Sequence, residues 1–342
     1  MERALTRLWY EGGVAAWFLQ PLSWLYRAAM SLRRQGYASG WLPSHRVGRP
    51  VVVVGNLTVG GTGKTPLVAW LAEHLVQRGV KVGILSRGYG SSGHAPRRVD
   101  PGSDWRDVGD EPLLLRQRTG CTTVVSADRV AGARLLIEQG AEVILADDGL
   151  QHLRLARDCE IVVIDGARGF GNGRLLPAGP LRDPVSRLAS VDLIVVNGER
   201  THASFAQLPS TLAPHSVQMA LEPGSALHLA GRQAARSVES FRGQPVHAVA
   251  GIGNPLRFFG DLRSRGLQIL EHAFPDHHPF TAADLDFGDD LSVLMTEKDA
   301  VKCRRFANER LWYVPVSARF SDAQAAEVLG RVMSKLGFSV TA

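Results

Sequence analysis

Val51-Val52-Val53-Val54-Gly55-Asn56-Leu57-Thr58-Val59-Gly60-Gly61-Thr62-Gly63-Lys64-Thr65 is the stretch that decides the fold of this chain. Its opening run is apolar without alternation, which is the pattern of a strand buried on both faces. A glycine-rich loop follows, and Lys64–Gln77 then reads as a helix. Strand, loop and helix in that order form the context in which such a loop cradles phosphate. The glycines let backbone N–H groups turn inward, and the helix N-terminus adds its dipole. Lys64 supplies a point charge to the β- and γ-phosphates, and the Thr65 hydroxyl suits Mg²⁺. The candidate nucleotide-binding set is Thr58, Val59, Gly60, Gly61, Thr62, Gly63, Lys64 and Thr65. Thr58 stands where G-x-x-x-x-G-K-[ST] begins with glycine, and Gly60, Gly61 and Gly63 compensate. Lysine usage adds weight: only five lysines (Lys64, Lys81, Lys298, Lys302, Lys335) occur among 39 basic residues. A lysine kept here points to a need for a compact ammonium, for which Arg is no substitute. The bland alternative is a glycine turn with an incidental lysine.

Outward from this stretch, apolar runs alternate with helical ones. Candidate strands are Val82–Leu85, Thr122–Ser126, Val143–Ala146, Ile161–Ile164 and Leu193–Val196, with helices over Glu111–Arg118 and Arg129–Gln139. The pattern predicts an α/β fold of the P-loop NTPase kind, with a mostly parallel sheet. Val143-Ile144-Leu145-Ala146-Asp147-Asp148 carries a carboxylate to the C-terminal edge of that sheet. Asp147 is the first candidate Mg²⁺ ligand together with Thr65. Asp148 is a second ligand or water holder, and Asp165 a weaker candidate. An Asp pair at a strand end can also be turn chemistry. The same edge collects Ser86-Arg87-Gly88-Tyr89-Gly90, Asp110-Glu111-Pro112 and Ser126-Ala127-Asp128-Arg129, where ligands bind in open α/β sheets.

The 342 residues exceed what one core usually serves, so two domains are expected. We expect an N-terminal helical segment over 1–48, a P-loop domain over 49–223, and a smaller α/β domain over 224–342 that closes over the site. In the last of these, His247–Gly251, Leu291–Met295 and Trp312–Val316 read as strands and Ala323–Lys335 as a helix. Asn254-Pro255 reads as an N-cap with Pro at N1, and Thr296-Glu297-Lys298-Asp299 as a capping-box-like helix start. Three cysteines without a C-x-x-C argue against a disulfide scaffold or zinc module.

The chain carries 39 Lys and Arg against 33 Asp and Glu, a net charge of +6. Through Arg49 there are seven Arg against two Glu, with four of the seven Trp and three of the five Tyr. A uniformly basic nucleic-acid binder would not look like this, and no nucleic-acid partner is expected. Val14, Trp17, Phe18, Pro21, Leu22 and Leu25 make one apolar stripe, bent at Pro21. The stretch is too short to span a bilayer and lacks a signal-peptide cleavage site. With its aromatics and arginines it reads as a segment lying on an anionic membrane surface. The alternative is a helix that buries those aromatics against the rest of the protein.

Three nucleotide-using classes compete. A membrane-targeted regulatory ATPase of the MinD/ParA type has a similar loop, but its signature lysine before the glycine pair is Val59 here. A GTPase wants [NT]-K-x-D, and Thr296-Glu297-Lys298-Asp299 has another order. A small-molecule or lipid kinase needs a proton acceptor for the substrate hydroxyl and a second domain. The chain resembles the tetraacyldisaccharide 4′-kinases of lipid A biosynthesis. The resemblance rests on Val53–Pro66, Ser86–Gly90, Gly109–Pro112, Ala146–His152, Leu175–Arg182, Gly251–Pro255, Phe274–His277 and Thr296–Ala300.

That resemblance implies a kinase that moves the ATP γ-phosphoryl, with Mg²⁺, to the 4′-hydroxyl of an acylated glucosamine disaccharide 1-phosphate, giving lipid IVA. It implies a peripheral place on the cytoplasmic face of a bacterial inner membrane, with no obligate protein partner. Asp110 and His277 correspond to the family's carboxylate near the acceptor hydroxyl and its His partner. Lys64, Asp147 and Asp148 complete the expected catalytic set, and Arg87, Arg129 and Arg182 are candidates for the substrate phosphate. Asp110 could equally be only an N-terminal charge on its helix, and His277 an exposed loop residue.

Overall fold

The computed structural model describes residues 8–10, 15–88, 95–208 and 216–338. Val14 of the apolar stripe and Tyr89-Gly90 lie outside the described residues. The larger lobe is a nine-stranded sheet built around β1 (Val51–Gly55). On one side of β1 lie β5 (Val143–Asp147), β2 (Val82–Ser86), β4 (Thr122–Val125) and the short β3 (Arg97–Val99). On the other lie β6 (Cys159–Asp165), β7 (Leu193–Asn197), β8 (Ser216–Pro223) and β14 (Val316–Arg319). Only the two edge strands are antiparallel to their neighbours. Every residue of β1, β2, β5, β6 and β7 is buried, which is why these strands read as unbroken apolar runs.

Helices cover both faces. The helix α3 (Lys64–Gln77) packs Leu67, Leu71 and Leu75 on one side of the sheet, each contributing about 1.5–3 kcal/mol by burial. On that side it also packs on α5 (Asp110–Thr119), which follows the one-turn α4 (Trp105–Val108), and the C-terminal α9 (Asp322–Lys335) adds to the same core. The helix α6 (Arg129–Glu138) covers the other side through Val130, Ala133 and Leu136.

The chain leaves this sheet at Pro223 and builds a second, five-stranded one in the order β11 (Ile269–Ala273), β10 (Val246–Ala250), β12 (Val293–Thr296), β13 (Leu311–Val314) and β9 (Leu227–His228). It carries α7 (Pro255–Ser264) and α8 (Glu297–Cys303). The expectation that 224–342 form one unit is corrected here. Trp312–Val316 is not a single strand: β13 ends at Val314, and β14 begins after Pro315 in the other sheet, antiparallel to β8. Proline has no N–H to continue the ladder of β13. The returning helix α9 then buries Val328, Leu329, Val332 and Met333 in the core of the larger lobe. The second lobe is thus an insertion hung on two strands, and Gly224 N–H donates to the Pro315 carbonyl at 2.8 Å where they cross.

Two local expectations also change. Asn254 occupies the N-cap of α7 with Pro255 at its first position, but its side chain makes no capping bond. At the N-terminus the helix does not bend at Pro21. It breaks at Leu19 between α1 (Ala15–Phe18) and α2 (Gln20–Ala38), and Pro21 sits in the first turn of α2, where a missing N–H costs nothing.

The helix α2 docks by polar groups. Ser23 Oγ donates to the Leu175 carbonyl at 2.9 Å, Tyr26 Oη to the Arg182 carbonyl at 3.0 Å, and Arg34 pairs with buried Asp183. Its outer face leaves Leu22, Trp24, Leu25 and Leu32 exposed, and α1 does the same with Trp17 and Phe18. Among the described residues no helix is long and apolar enough to cross a membrane.

Arg118 is the knot between the lobes. From α5 it donates to the Val316 carbonyl and to Ser317 Oγ, both at 2.6 Å, and meets Glu73 of α3 at 3.3 Å and Glu297 of α8 at 3.4 Å. Replacing Arg118 by Ala should lower stability by about 2–4 kcal/mol, because it strips partners from half-buried acids and a carbonyl. Urea unfolding measures this, and an unchanged midpoint would contradict it.

Candidate active site

The phosphate loop leaves β1 and is held open by side chains around it. Asn56, buried, donates through Nδ2 to the carbonyls of Thr58 at 2.7 Å and Gly60 at 3.1 Å. Val59 N–H donates to the Pro180 carbonyl at 2.8 Å. Asn197, at the end of β7, donates to the Thr62 carbonyl at 3.0 Å. These bonds fix the Thr58, Gly60 and Thr62 carbonyls on side chains that flank the loop. Gly63 needs its glycine: φ is +96°, and a Cβ there would lie 2.7 Å from Asn197 Nδ2. A Cβ on Gly61 would meet nothing within 4 Å, so the loop faces open space. Thr62 Oγ1 is buried without a partner.

A chain of contacts ties this loop to α2. Gln151 Nε2 donates to the Asn56 carbonyl at 3.3 Å and to Asp183 Oδ2 at 2.9 Å, and Asp183 pairs with Arg34.

Two adjacent carboxylates stand beside Lys64. Asp147 is fully buried at the end of β5, and its Oδ1 has no partner. Burial, reinforced by the charge of Glu111, pushes its carboxyl up to about 7 against the pull of Lys64. Asp148 lies 3.6 Å from Lys64 Nζ and 3.1 Å from Arg182 Nη1. These two cations outweigh the effect of burial and hold its carboxyl below the ordinary range. The two neighbours are thereby pushed in opposite directions, one carboxyl up and the other down, an arrangement met at functional sites. Asp165, the weaker candidate, is engaged within its own turn. Its Oδ1 accepts from Ala167 and Arg168 N–H at 3.0 and 3.1 Å, which is turn chemistry.

The three arginines separate. Arg129 is 3% exposed and donates from Nη2 to the Asp147 carbonyl at 3.2 Å, while Nε and Nη1 have no partner. Burial lowers its pKa to about 10, against the pull of Asp147 and Asp148. Arg87 is exposed, and its charge reaches both Arg129 and His152. Burial, then Arg129 and Arg87, depress His152 to about 4. Arg182 is the counter-ion of Asp148.

The second lobe supplies the rest. A Cβ on Gly253 would lie 3.8 Å from Gly61 N, so the loop after β10 faces the phosphate loop. Asp299 anchors that loop by accepting the Gly251 N–H at 2.8 Å and the Thr296 hydroxyl at 2.6 Å. Its carboxylate therefore does not close a reciprocal capping box, although Thr296 Oγ1 does accept the Asp299 N–H at 3.2 Å.

His277 Nδ1 lies 2.9 Å from Asp110 Oδ2, across the interface between the lobes. Burial of Asp110 is outweighed by this hydrogen bond and by the charges of Lys298, His277 and Lys302, which hold its carboxyl at about 2. The bond to Asp110 raises the His277 pKa. Among the described residues the non-glycine positions with positive φ are Asp148 (49°) and His277 (59°). Both are at this site, where strained backbone tends to gather.

Sequence reasoning passed over Asn197, Gln151, Asp183 and the two lysines of α8. In the sequence Lys298 reads as part of a helix start and of a stretch that resembles the kinase family, and Lys302 only as one of five lysines. The rarity of lysine, which drew attention to Lys64, was the signal that could have found them.

A glycine-loop strand–helix unit, a paired carboxylate at the next strand end and a facing second lobe define a P-loop phosphotransferase. The sequence model of the tetraacyldisaccharide-1-P 4′-kinase family matches residues 15–334. The chain belongs to that family. It is 52% identical over 305 residues to the tetraacyldisaccharide 4′-kinase of Alkalilimnicola ehrlichii, covering 88% of each chain. It is 48% identical to that of Nitrosococcus oceani, over 95% of this chain and 93% of the other. It also matches a crystal structure of LpxK from Aquifex aeolicus, an "apo" form in complex with ATP, with a TM-score of 0.76 and 27% identity, over 94% of this chain and 99% of that one.

The raised carboxyl of Asp147 has a thermodynamic consequence. Its pKa rises from an ordinary 3.8 to about 7 on folding, so the native state binds the extra proton between those values. Stability contributed by this group is greatest at low pH and falls as pH rises through that window. Asp147→Asn should therefore raise Tm at pH 8, without nucleotide or metal, relative to wild type, with the difference fading below pH 4. Scanning calorimetry across pH checks it.

Proposed function

We propose that this protein transfers the γ-phosphoryl group of ATP to the 4′-hydroxyl of a tetraacyldisaccharide 1-phosphate. The family match over 15–334 carries this reading. The phosphate loop Thr58–Thr65 and Lys64 bind the β- and γ-phosphates. The residues fit a hard divalent cation: the fully buried Oδ1 of Asp147 has no hydrogen-bond partner, and the Thr65 hydroxyl follows Lys64 at the helix start. Mg²⁺ held by Thr65 and Asp147 would neutralise charge on the transferring group. Asp148 keeps Lys64 and Arg182 in place.

In the transfer, the acceptor oxygen bonds to the γ-phosphorus as the bond from phosphorus to the ADP oxygen breaks. The hydroxyl proton passes to the Asp110–His277 pair, which orients the attacking oxygen. Little proton transfer is demanded of a loose transition state, so a weakly basic carboxylate suffices. Arg129, with two unpartnered buried donors, and the neighbouring Arg87 offer a site for the acceptor's phosphate. Arg182 contributes through Asp148.

The protein sits peripherally on an anionic inner-leaflet surface. The outward faces of α1 and α2 support this: Trp17 is 67% exposed, Phe18 81% and Leu25 68%. Arg27 and Arg33 are exposed on the same helix. Aromatics and arginines on one surface suit a headgroup zone, and would bring the site to a lipid acceptor.

Label transfer from [γ-³²P]ATP to purified disaccharide 1-phosphate is the direct test, with nucleosides and ordinary phospholipids as controls. Lys64→Ala and Asp147→Ala should abolish transfer, and His277→Ala should lower kcat by about 10²–10⁴-fold. ATP-dependent dimerisation with no lipid acceptor would instead favour a regulatory ATPase. Replacing Trp17, Phe18 and Leu25 together by Ser should abolish flotation with anionic vesicles. It should also raise KM for the lipid while KM for ATP stays the same; equal changes in both would argue against the membrane role.

A further inference from the structure

The phosphate loop has charged neighbours on both flanks of β1. On the β5 side, Lys64 and Arg182 both face Asp148. On the β6 side the chain turns through Gly166-Ala167-Arg168-Gly169, and that turn is closely held. Gly166 N–H donates to the Asn197 carbonyl at 2.8 Å, and Gly169 N–H to the Asp165 carbonyl at 2.7 Å. A Cβ on Gly166 would run into the Glu199 carbonyl, so the backbone there admits no side chain. The turn carries Arg168 up against the phosphate loop. Its Nη1 is the atom that a Cβ on Gly60 would meet, at 3.3 Å.

The Arg168 guanidinium is held in place without being used up. Nε lies 3.8 Å from Asp165 Oδ2, an ion pair too long for a hydrogen bond. Asp165 Oδ1 is already taken by two backbone N–H groups of the same turn. The centroid of the Tyr10 ring lies 5.8 Å from Cζ, within cation–π range, so the N-terminal segment walls one face. Nη1 is the end turned to Gly60. That position matters because Gly60 and Gly61 form the part of the loop nearest the second lobe, where a Cβ on Gly253 would lie 3.8 Å from Gly61 N. A γ-phosphoryl group leaving for an acceptor between the lobes belongs there, with the β-phosphate deeper, at the N-terminus of α3.

We infer that Arg168 is a catalytic residue: from the β6 flank of the phosphate loop it donates to the γ-phosphoryl group of ATP and holds that group during transfer. This rests on the reading of the loop as an ATP site proposed above. As the acceptor oxygen bonds to phosphorus and the bond from phosphorus to the ADP oxygen breaks, negative charge develops across the γ-phosphoryl oxygens and the departing oxygen. Arg168 meets that charge with N–H donors and exchanges no proton, because a guanidinium stays protonated. Lys64 acts from the β5 flank, so the moving group lies between cations on opposite sides. An anchor at Asp165 and a wall at Tyr10 fix the guanidinium before the charge appears, which is what makes such a donor effective. A side chain on Gly60 would stand between Arg168 and the loop.

The test uses the full chain with Arg168→Met, and calorimetric titration with ADP and with the non-hydrolysable ATP analogue AMP-PCP, both with Mg²⁺. Arg168→Met should bind AMP-PCP about tenfold more weakly, as expected for a lost hydrogen bond to a charged group, while ADP binding changes less than about twofold. Its kcat for label transfer should fall by about 10²–10³-fold, the usual cost of removing one donor to transition-state charge. Equal losses for ADP and AMP-PCP, or an unchanged kcat, would overturn the inference and leave Arg168 a residue that only packs its turn. If Arg168→Met does not fold, Arg168→Gln keeps the turn polar and is read by the same two titrations. A wild-type chain that binds neither nucleotide would sink the ATP reading, and the inference with it. Lost discrimination between AMP-PCP and ADP in the variant, with no label passing to the disaccharide even in the wild type, would uphold the Arg168 contact and remove only the acceptor.

Discussion

The hydrogen bond between Asp110 and His277 joins residues 167 positions apart in the chain and belongs to neither lobe alone. Much else in the structure follows from the need to make it. Asp110 opens α5 and brings Arg118 at the other end of the same helix, where it ties together α3, α8 and β14. His277 takes a left-handed backbone conformation, a cost a loop sustains only when its surroundings over-determine it. Lys298 supplies part of that determination, since it bonds Asp276 of the same loop and Glu111 of the other lobe together. Because the second lobe is an insertion hung on two strands, its orientation is set chiefly by these polar contacts and by the packing of α5 on α8.

The same logic of unequal neighbours governs the carboxylates on the opposite wall. Asp147 and Asp148 are adjacent in sequence, yet one faces the interior and the other faces two cations. Burial raises the first and charge lowers the second. A fully buried oxygen without a partner is expensive, and a divalent ion from solution is the kind of group that would relieve it.

The N-terminal helix is fastened to the larger lobe without covering its large apolar side chains. Its aromatics had two readings, burial against the protein or exposure to a membrane, and the helix divides them by face. Polar side chains, Ser23, Tyr26 and Arg34, hold it to the larger lobe, and the large apolar ones point away. A helix fastened through hydrogen bonds can leave its hydrophobic surface uncommitted. Through Asp183 and Gln151 the same fastening reaches Asn56 at the base of the phosphate loop.

The phosphate loop, the parallel strands around it and the strand-end carboxylate were legible in the chain because each depends on neighbours within a few residues. Glycines set the turn, an unbroken apolar run marks a strand covered on both faces, and a helix begins where Lys64 and Thr65 stand. What the chain could not disclose was everything that depends on distant partners. Nothing local in Asp322–Lys335 says that its apolar face returns to the first lobe, or that Pro315 divides two sheets. Nor does Thr296-Glu297-Lys298-Asp299 announce more than a helix start. Only the folded molecule sets Lys298 against His277, because a side chain's hydrogen-bond partners are chosen by three-dimensional proximity, and sequence periodicity encodes which face is buried without encoding what it is buried against.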